Sequence, residues 1–140
     1  MLSKKTQYAF RALTYLAKEK TNSPVLIATI AADTQIPIKF LESILLTLKN
    51  KGILGSKKGK GGGYFFEKPA NQVSLASVMR LVEGPIALLP CVSLYFYKRC
   101  TDCDETTCGL RKVMTEVRDA SLQILQQKTV ADLVLHPELQ

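Results

Sequence analysis

Residues 37–66 read Pro37-Ile38-Lys39-Phe40-Leu41-Glu42-Ser43-Ile44-Leu45-Leu46-Thr47-Leu48-Lys49-Asn50-Lys51-Gly52-Ile53-Leu54-Gly55-Ser56-Lys57-Lys58-Gly59-Lys60-Gly61-Gly62-Gly63-Tyr64-Phe65-Phe66. Leu41, Ile44, Leu45 and Leu48 follow the i, i+3, i+4, i+7 spacing of an amphipathic helix, which predicts a helix over about 37–50. Pro37 suits its first turn, where a missing N–H costs little. Gly52 suits its C-terminal cap. Two short apolar segments follow, Ile53-Leu54 and Tyr64-Phe65-Phe66, with Gly55–Gly63 between them. That arrangement predicts a β-hairpin with a long, basic, glycine-rich tip.

The flanks extend this pattern. Residues 4–19 read as a helix with Tyr8, Ala9, Ala12, Leu13, Leu16 and Ala17 on one stripe, broken by Asn22-Ser23-Pro24. Val25-Leu26 reads as a very short strand. A second helix is expected from about Ala28 to Ala32, with Ile30 and Ala31 facing in, then a turn at Thr34–Pro37. Ser74 is placed to cap a fourth helix with Leu75, Val78, Met79 and Val82 on one face, ended by Gly84-Pro85. Residues 85–108 read as irregular. A long helix is expected over about 109–128, striped by Leu110, Val113, Met114, Val117, Ile124 and Leu125. Thr129 then caps one more short helix over 129–134.

The expected fold is mainly α with a small β-hairpin wing: a winged helix-turn-helix over 1–84, a cysteine-containing loop over 85–108, and a C-terminal helix and tail over 109–140. The 140 residues suit this single compact scheme, and 46% hydrophobic residues suffice for a core. No apolar run is long enough for a membrane helix, and Met1–Tyr8 does not read as a secretory signal, so a cytoplasmic protein without membrane contact is expected.

Charge divides the chain. Residues 1–68 hold 12 Lys/Arg against 4 Asp/Glu, whereas residues 69–140 hold 7 against 8. The basic first half is suited to a polyanion. A helix of about 10–12 Å diameter enters the DNA major groove, and its N-terminal residues reach base edges. Here these are Pro37, Ile38, Lys39, Glu42 and Ser43, on the side away from the apolar stripe. Lys39 can meet a phosphate or a guanine edge, and Glu42 can accept from a cytosine amino group. Lys57, Lys58 and Lys60 in the hairpin tip add salt-dependent affinity, and the glycines allow close approach to backbone or minor groove. The tip lacks the Gly-Lys-Ser/Thr ending of a nucleotide-binding loop and joins two strands, not a strand and a helix.

Cys91, Cys100, Cys103 and Cys108 are separated by eight, two and four residues. Four thiols so concentrated in a cytosolic chain point to metal before disulfides. Zinc and iron–sulfur clusters both use thiolates. Zinc sites usually pair their ligands closely, and Cys91 has no close partner, which favours a cluster. Free thiols acting as a redox switch remain an alternative. An electron carrier or enzyme is disfavoured: the only histidine is His136, and no nucleophile–base set or nucleotide fingerprint is visible.

The run Leu41-Glu42…Leu48, Gly52-Ile53-Leu54 and Ser56–Tyr64, with Val73–Val78, Glu83-Gly84-Pro85 and the cysteines feeding a long helix, resembles the Rrf family of bacterial winged helix-turn-helix transcription regulators over about residues 1–134. The resemblance implies a homodimeric regulator, commonly a repressor, joined through the long C-terminal helix and reading a pseudo-palindromic site on double-stranded DNA. It also implies three cysteine ligands to a [2Fe–2S] or [4Fe–4S] cluster, most nearly Cys91, Cys100 and Cys108, with another residue completing the set. The chain departs from that pattern in a longer first cysteine gap, an extra Cys103, and Arg111 where iron–sulfur members carry a ligand histidine. Arg111 stays protonated and is no ligand; Cys103 is free to complete the site. Cluster-free members imply a second possibility, a response to thiol oxidation, zinc, a small molecule or a partner protein.

Overall fold

The structure is a computed structural model that describes residues 2–135; His136 and the rest of the tail lie outside the described residues. Five helices and one hairpin follow in the order α1 (Lys4–Ala17), α2 (Ile27–Thr34), α3 (Ile38–Asn50), β1 (Leu54–Lys57), β2 (Gly63–Phe66), α4 (Leu75–Val82) and α5 (Gly109–Gln127), with short 3₁₀ turns at Ala70–Gln72, Pro90–Val92 and Val130–Leu133. No described helix is long and apolar enough to cross a membrane.

The predicted element order holds, and the differences lie at boundaries. α1 stops at Ala17, two residues early, and Ser3 caps its start by accepting from the Thr6 N–H. α2 is longer than predicted, because Gln35 takes the left-handed conformation (φ 61°) that closes it, and Ala31 is only partly buried. Pro37 is the residue before α3, extended at ψ 131°, and not part of its first turn. Gly52 lies one residue past the cap Lys51 and supplies the positive φ of 79° that ends the helix. In α4 the fully buried residues are Ala76 and Val78, with Leu75, Met79 and Val82 half-buried. The last predicted helix is the 3₁₀ turn Val130–Leu133, closed by Thr129 and Asp132 in a reciprocal capping box.

The core joins α1 to α3: Ala9, Ala12, Leu13 and Leu16 meet Leu41, Ile44, Leu45 and Leu48, with Ile30, Ile53, Leu54, Val73, Val78 and Val130 completing it. Val130 reaches the core from the far end of the chain. Its N–H donates to the Val73 carbonyl (2.9 Å), and Leu75 N–H donates to the Lys128 carbonyl (2.9 Å).

β1 and β2 pair antiparallel from Leu54↔Phe66 to Lys57↔Gly63. Val25 adds a one-residue bridge on the other edge, exchanging two hydrogen bonds with Tyr64 (2.9 and 2.8 Å). Asn22 extends that edge with its side chain, donating to and accepting from the Phe66 backbone at 2.9 Å each. The approach depends on Gly63: its φ is 136°, and an added Cβ would lie 2.3 Å from the Val25 carbonyl. Gly61 also has positive φ but open space around it.

These geometries separate two alanine variants. Gly63→Ala is expected to cost about 2–4 kcal/mol, from backbone strain and weakened Val25 hydrogen bonds. Gly61→Ala should cost only about 1 kcal/mol. Urea melts measure both, and faster amide exchange at Val25 in the first variant alone would locate the damage.

Candidate nucleic-acid interface and cysteine segment

α2, the Gln35 turn and α3 form the helix-turn-helix. Burial of Leu41, Ile44, Leu45 and Leu48 fixes the rotation of α3, so Pro37, Ile38, Lys39, Glu42 and Ser43 are all exposed. No side chain caps the α3 N-terminus. Leu46 is exposed on the same outer side and was not singled out from the sequence. On the first turn of α3, exposed Phe40 meets Tyr8 of α1 edge-on (centroids 6.0 Å apart), and Lys4 and Arg11 approach the Tyr8 ring at 5.8 and 5.3 Å. Tyr8 keeps its place on the apolar stripe of α1, half-buried against the core, and its ring edge carries two cations as well. The i, i+3, i+4 spacing of the cations around it was the available signal.

Lys57, Lys58 and Lys60 are all exposed at the hairpin tip. Gly59 and Gly61 supply its positive φ values. Gly62 donates to the Gly59 carbonyl (3.0 Å) in a space that no Cβ could share, because the Lys57 carbonyl would be 2.2 Å away. A tight, glycine-walled turn therefore presents three lysines on a short base.

The cysteine segment is less uniform. Cys91 is buried in the turn Pro90–Val92, Cys100 and Cys108 are half-buried, and Cys103 is exposed. Cys108 is the N-cap of α5, its Sγ accepting from the Arg111 N–H at 3.4 Å. Cys100 and Cys103 interact. A hydrogen bond from Cys103 pulls the Cys100 thiol below its ordinary value, and Cys103 is pushed up to about 12, mainly by Cys100 and more weakly by burial and Cys108. Cys100, Cys103 and Cys108 thus share one neighbourhood, and Cys91 is not among the groups acting on either shifted thiol. Tyr97 donates to Glu105 (2.7 and 2.8 Å), as does the Cys100 N–H (3.4 Å), which orders the loop and holds Glu105 below the usual carboxylate range.

Among the described residues, no three His, Cys, Asp or Glu side chains are gathered around a single-ion position. The donor set is nonetheless that of a thiophilic group, soft thiols without a neutral imidazole. One further observation fits an anionic sulfur centre. The Arg111 Nε is buried without any hydrogen-bond partner, on the residue whose main-chain N–H donates to the Cys108 cap.

The segment is fastened to the first half at Glu83, the C-cap of α4. Its carboxylate accepts from Ser3 N (3.1 Å), Ser3 Oγ (2.6 Å) and Thr6 Oγ1, which holds it below the ordinary glutamate value. Gly84 (φ 106°) and Pro85 then turn the chain into the cysteine loop.

Comparison with known proteins agrees with this architecture. The chain matches the family described as "Rrf2: Iron-dependent Transcriptional regulator" over residues 2–136. It is 40% identical to an rrf2-like HTH-type transcriptional regulator of Rhodobacter capsulatus, covering 96% of this chain and 92% of that protein. It is 28% identical to the HTH-type transcriptional regulator NsrR of Shouchella clausii, covering 98% and 90%. Its fold is similar to that of CymR, the global cysteine regulator of Bacillus subtilis, with a TM-score of 0.77, 25% identity and 95% of each chain covered. A buried α3 stripe, a glycine-walled basic wing and a near full-length match together make the chain a member of the Rrf2 family of transcriptional regulators.

Proposed function

We propose that this regulator is a cytoplasmic homodimeric repressor that reads a pseudo-palindromic operator with α3 and the wing, and whose affinity for DNA is set by an iron–sulfur cluster in the cysteine segment. The observation that carries the DNA reading is the burial pattern of α3. One face is sealed in the core, and Pro37, Ile38, Lys39, Glu42 and Ser43 are left free on the other. Lys39 and the uncapped helix N-terminus meet phosphate or guanine, and Glu42 accepts from cytosine. Lys57, Lys58 and Lys60 neutralise backbone phosphates, so each contributes about one to the slope of log K against log salt. Replacing all three lysines by alanine should weaken binding across sequences and reduce that slope by about three. Fluorescence anisotropy at several salt concentrations measures it, and an unchanged slope would remove the wing from the interface.

Dimerisation rests on α5. Leu110 (58% exposed), Val113 (50%), Val117 (37%) and Ile124 (59%) are bare, and Leu122 is the buried residue of this 19-residue helix. An apolar stripe of this kind suits a two-fold contact. Val113→Glu with Ile124→Glu is expected to give a monomer in sedimentation velocity and a large loss of operator affinity. A variant that stays dimeric would move the contact elsewhere.

For the cluster, Cys100, Cys103 and Cys108 are the thiols already grouped, and Cys91 is the fourth candidate. The bound group would supply a redox-active centre; the chain supplies the thiolates and, through Glu83 and Gly84-Pro85, a mechanical route to α1. The iron dependence by which the family is described supports this reading. A coupling of about 1–3 kcal/mol would change DNA affinity roughly 5–150-fold. Protein purified without oxygen should be coloured and contain iron and sulfide in equal amounts, and cluster-loaded and apo forms should differ in operator affinity at matched salt. Equal affinities would end the coupling.

A second reading is favoured by the Cys100–Cys103 pair. A lowered Cys100 thiol beside a second thiol suits disulfide formation, with the two electrons passing to a peroxide, in a cluster-free regulator. Zinc is the other candidate occupant of the same thiols. Colourless protein without iron, in which cysteine-to-serine replacement abolishes oxidant-dependent DNA release, would favour thiol chemistry.

A further inference from the structure

Arg111 is anomalous in three respects. Its Nε is buried and has no hydrogen-bond partner. Buried donors are almost always paired, and an orphan calls for a missing acceptor. Its guanidinium also has no carboxylate partner, since the one ion pair among the described residues is Arg118–Asp119. Of the acidic side chains of the same loop, Glu105 feels the Arg111 charge but is hydrogen-bonded by Tyr97 and the Cys100 N–H and forms no ion pair with it. Finally, Arg111 touches both ends of the cysteine segment: its main-chain N–H donates to Cys108 Sγ (3.4 Å), and its Nη2 donates to the Cys91 carbonyl (3.4 Å). A permanent, part-buried cation with an unpaired N–H is costly, and it sits in the segment that holds all four thiols, on the residue whose main-chain N–H meets Cys108 Sγ.

We propose that Arg111 is the charge-compensating positioning residue of the cysteine site, its Nε–H donating to a thiolate or sulfide sulfur of the iron–sulfur group while Nη2 pins the Cys91 backbone. This rests on the cluster reading above and adds to it a role for a residue that cannot itself be a ligand. The physical consequence is specific. A cation with an N–H directed at sulfur stabilises the more negative, reduced state and raises the reduction potential. It also explains how the loop tolerates several thiolates at one helix end. The charge is balanced locally by Arg111 and by the N-terminal dipole of α5, for which Cys108 is already the cap.

The experiment compares wild type with Arg111→Gln, Arg111→Met and Arg111→Lys, all purified without oxygen. Iron and sulfide content, circular dichroism and spectroelectrochemical reduction potential are measured on each. Gln and Met remove the charge and should shift the reduction equilibrium about tenfold toward the oxidised form, near 59 mV lower for a one-electron couple. Lys keeps the charge and should recover most of that shift. An unmoved potential in cluster-loaded Gln and Met variants would overturn the proposal and leave the cluster reading intact. So would a Lys variant that falls as far as Met, since the loss would then be one of packing. Should Gln and Met not fold, a Lys variant at wild-type potential supports the role, and one tenfold displaced overturns it. Wild-type protein without iron or sulfide would overturn the cluster reading and this role together.

Discussion

The structure depends on the contact between α1 and α3. Ala9 and Ala12 are small enough to bring the two helix backbones close, and Leu13 and Leu16 interlock with Leu41, Ile44, Leu45 and Leu48. Each of those buried leucine and isoleucine side chains contributes about 1.5–3 kcal/mol relative to exposure. Rotating α3 about its axis would exchange that burial for desolvated Lys39 or Glu42. The same contact that stabilises the domain therefore determines which side chains face outward, so the stability of the core and the composition of the exposed face of α3 are one constraint.

The wing is held by a different kind of force. Its apolar contribution is small, with Leu54 and Phe66 buried at its base. Its position comes from backbone hydrogen bonds: Tyr64, which faces Ser56 across the hairpin, gives both of its backbone groups to Val25 on the other edge, and the Asn22 side chain pairs with Phe66. Glycine is required where those backbones approach, and that is why a hairpin rich in lysine can stay short and ordered under its own charge repulsion.

The cysteine segment and α5 are tied down sparsely. Cys91, Val92 and Leu122 are buried, Arg118 donates to the Val92 carbonyl (2.7 Å), and most other side chains between 94 and 107 are exposed. Elements with few buried contacts open and shift at low cost. The Glu83 contacts with Ser3 and Thr6 connect this low-stability region to the start of α1 and so to the rigid half. The turn at Val130, docked on Val73, returns the chain to the same core and brackets α5 at its far end.

Periodicity and charge in the sequence alone determined the helix order, the hairpin, the outward residues of α3 and the bare stripe of α5. Those properties follow from local spacing: a 3.6-residue repeat encodes which face is apolar wherever the helix packs. Glycine and lysine density likewise marked the wing. Boundaries were less legible, because Ser3, Gln35 and Pro37 end or begin helices through backbone conformation that neighbouring elements select. Only the tertiary structure decided that Glu83 meets Ser3 across 80 residues, that Val25 joins the hairpin, that Val130 belongs to the first half's core, and that Cys103 and Cys108 share a neighbourhood with Cys100 while half-buried Arg111 touches both ends of the loop. Each of these is a contact between residues whose own local patterns are silent about one another, and only the path of the folded chain brings them together.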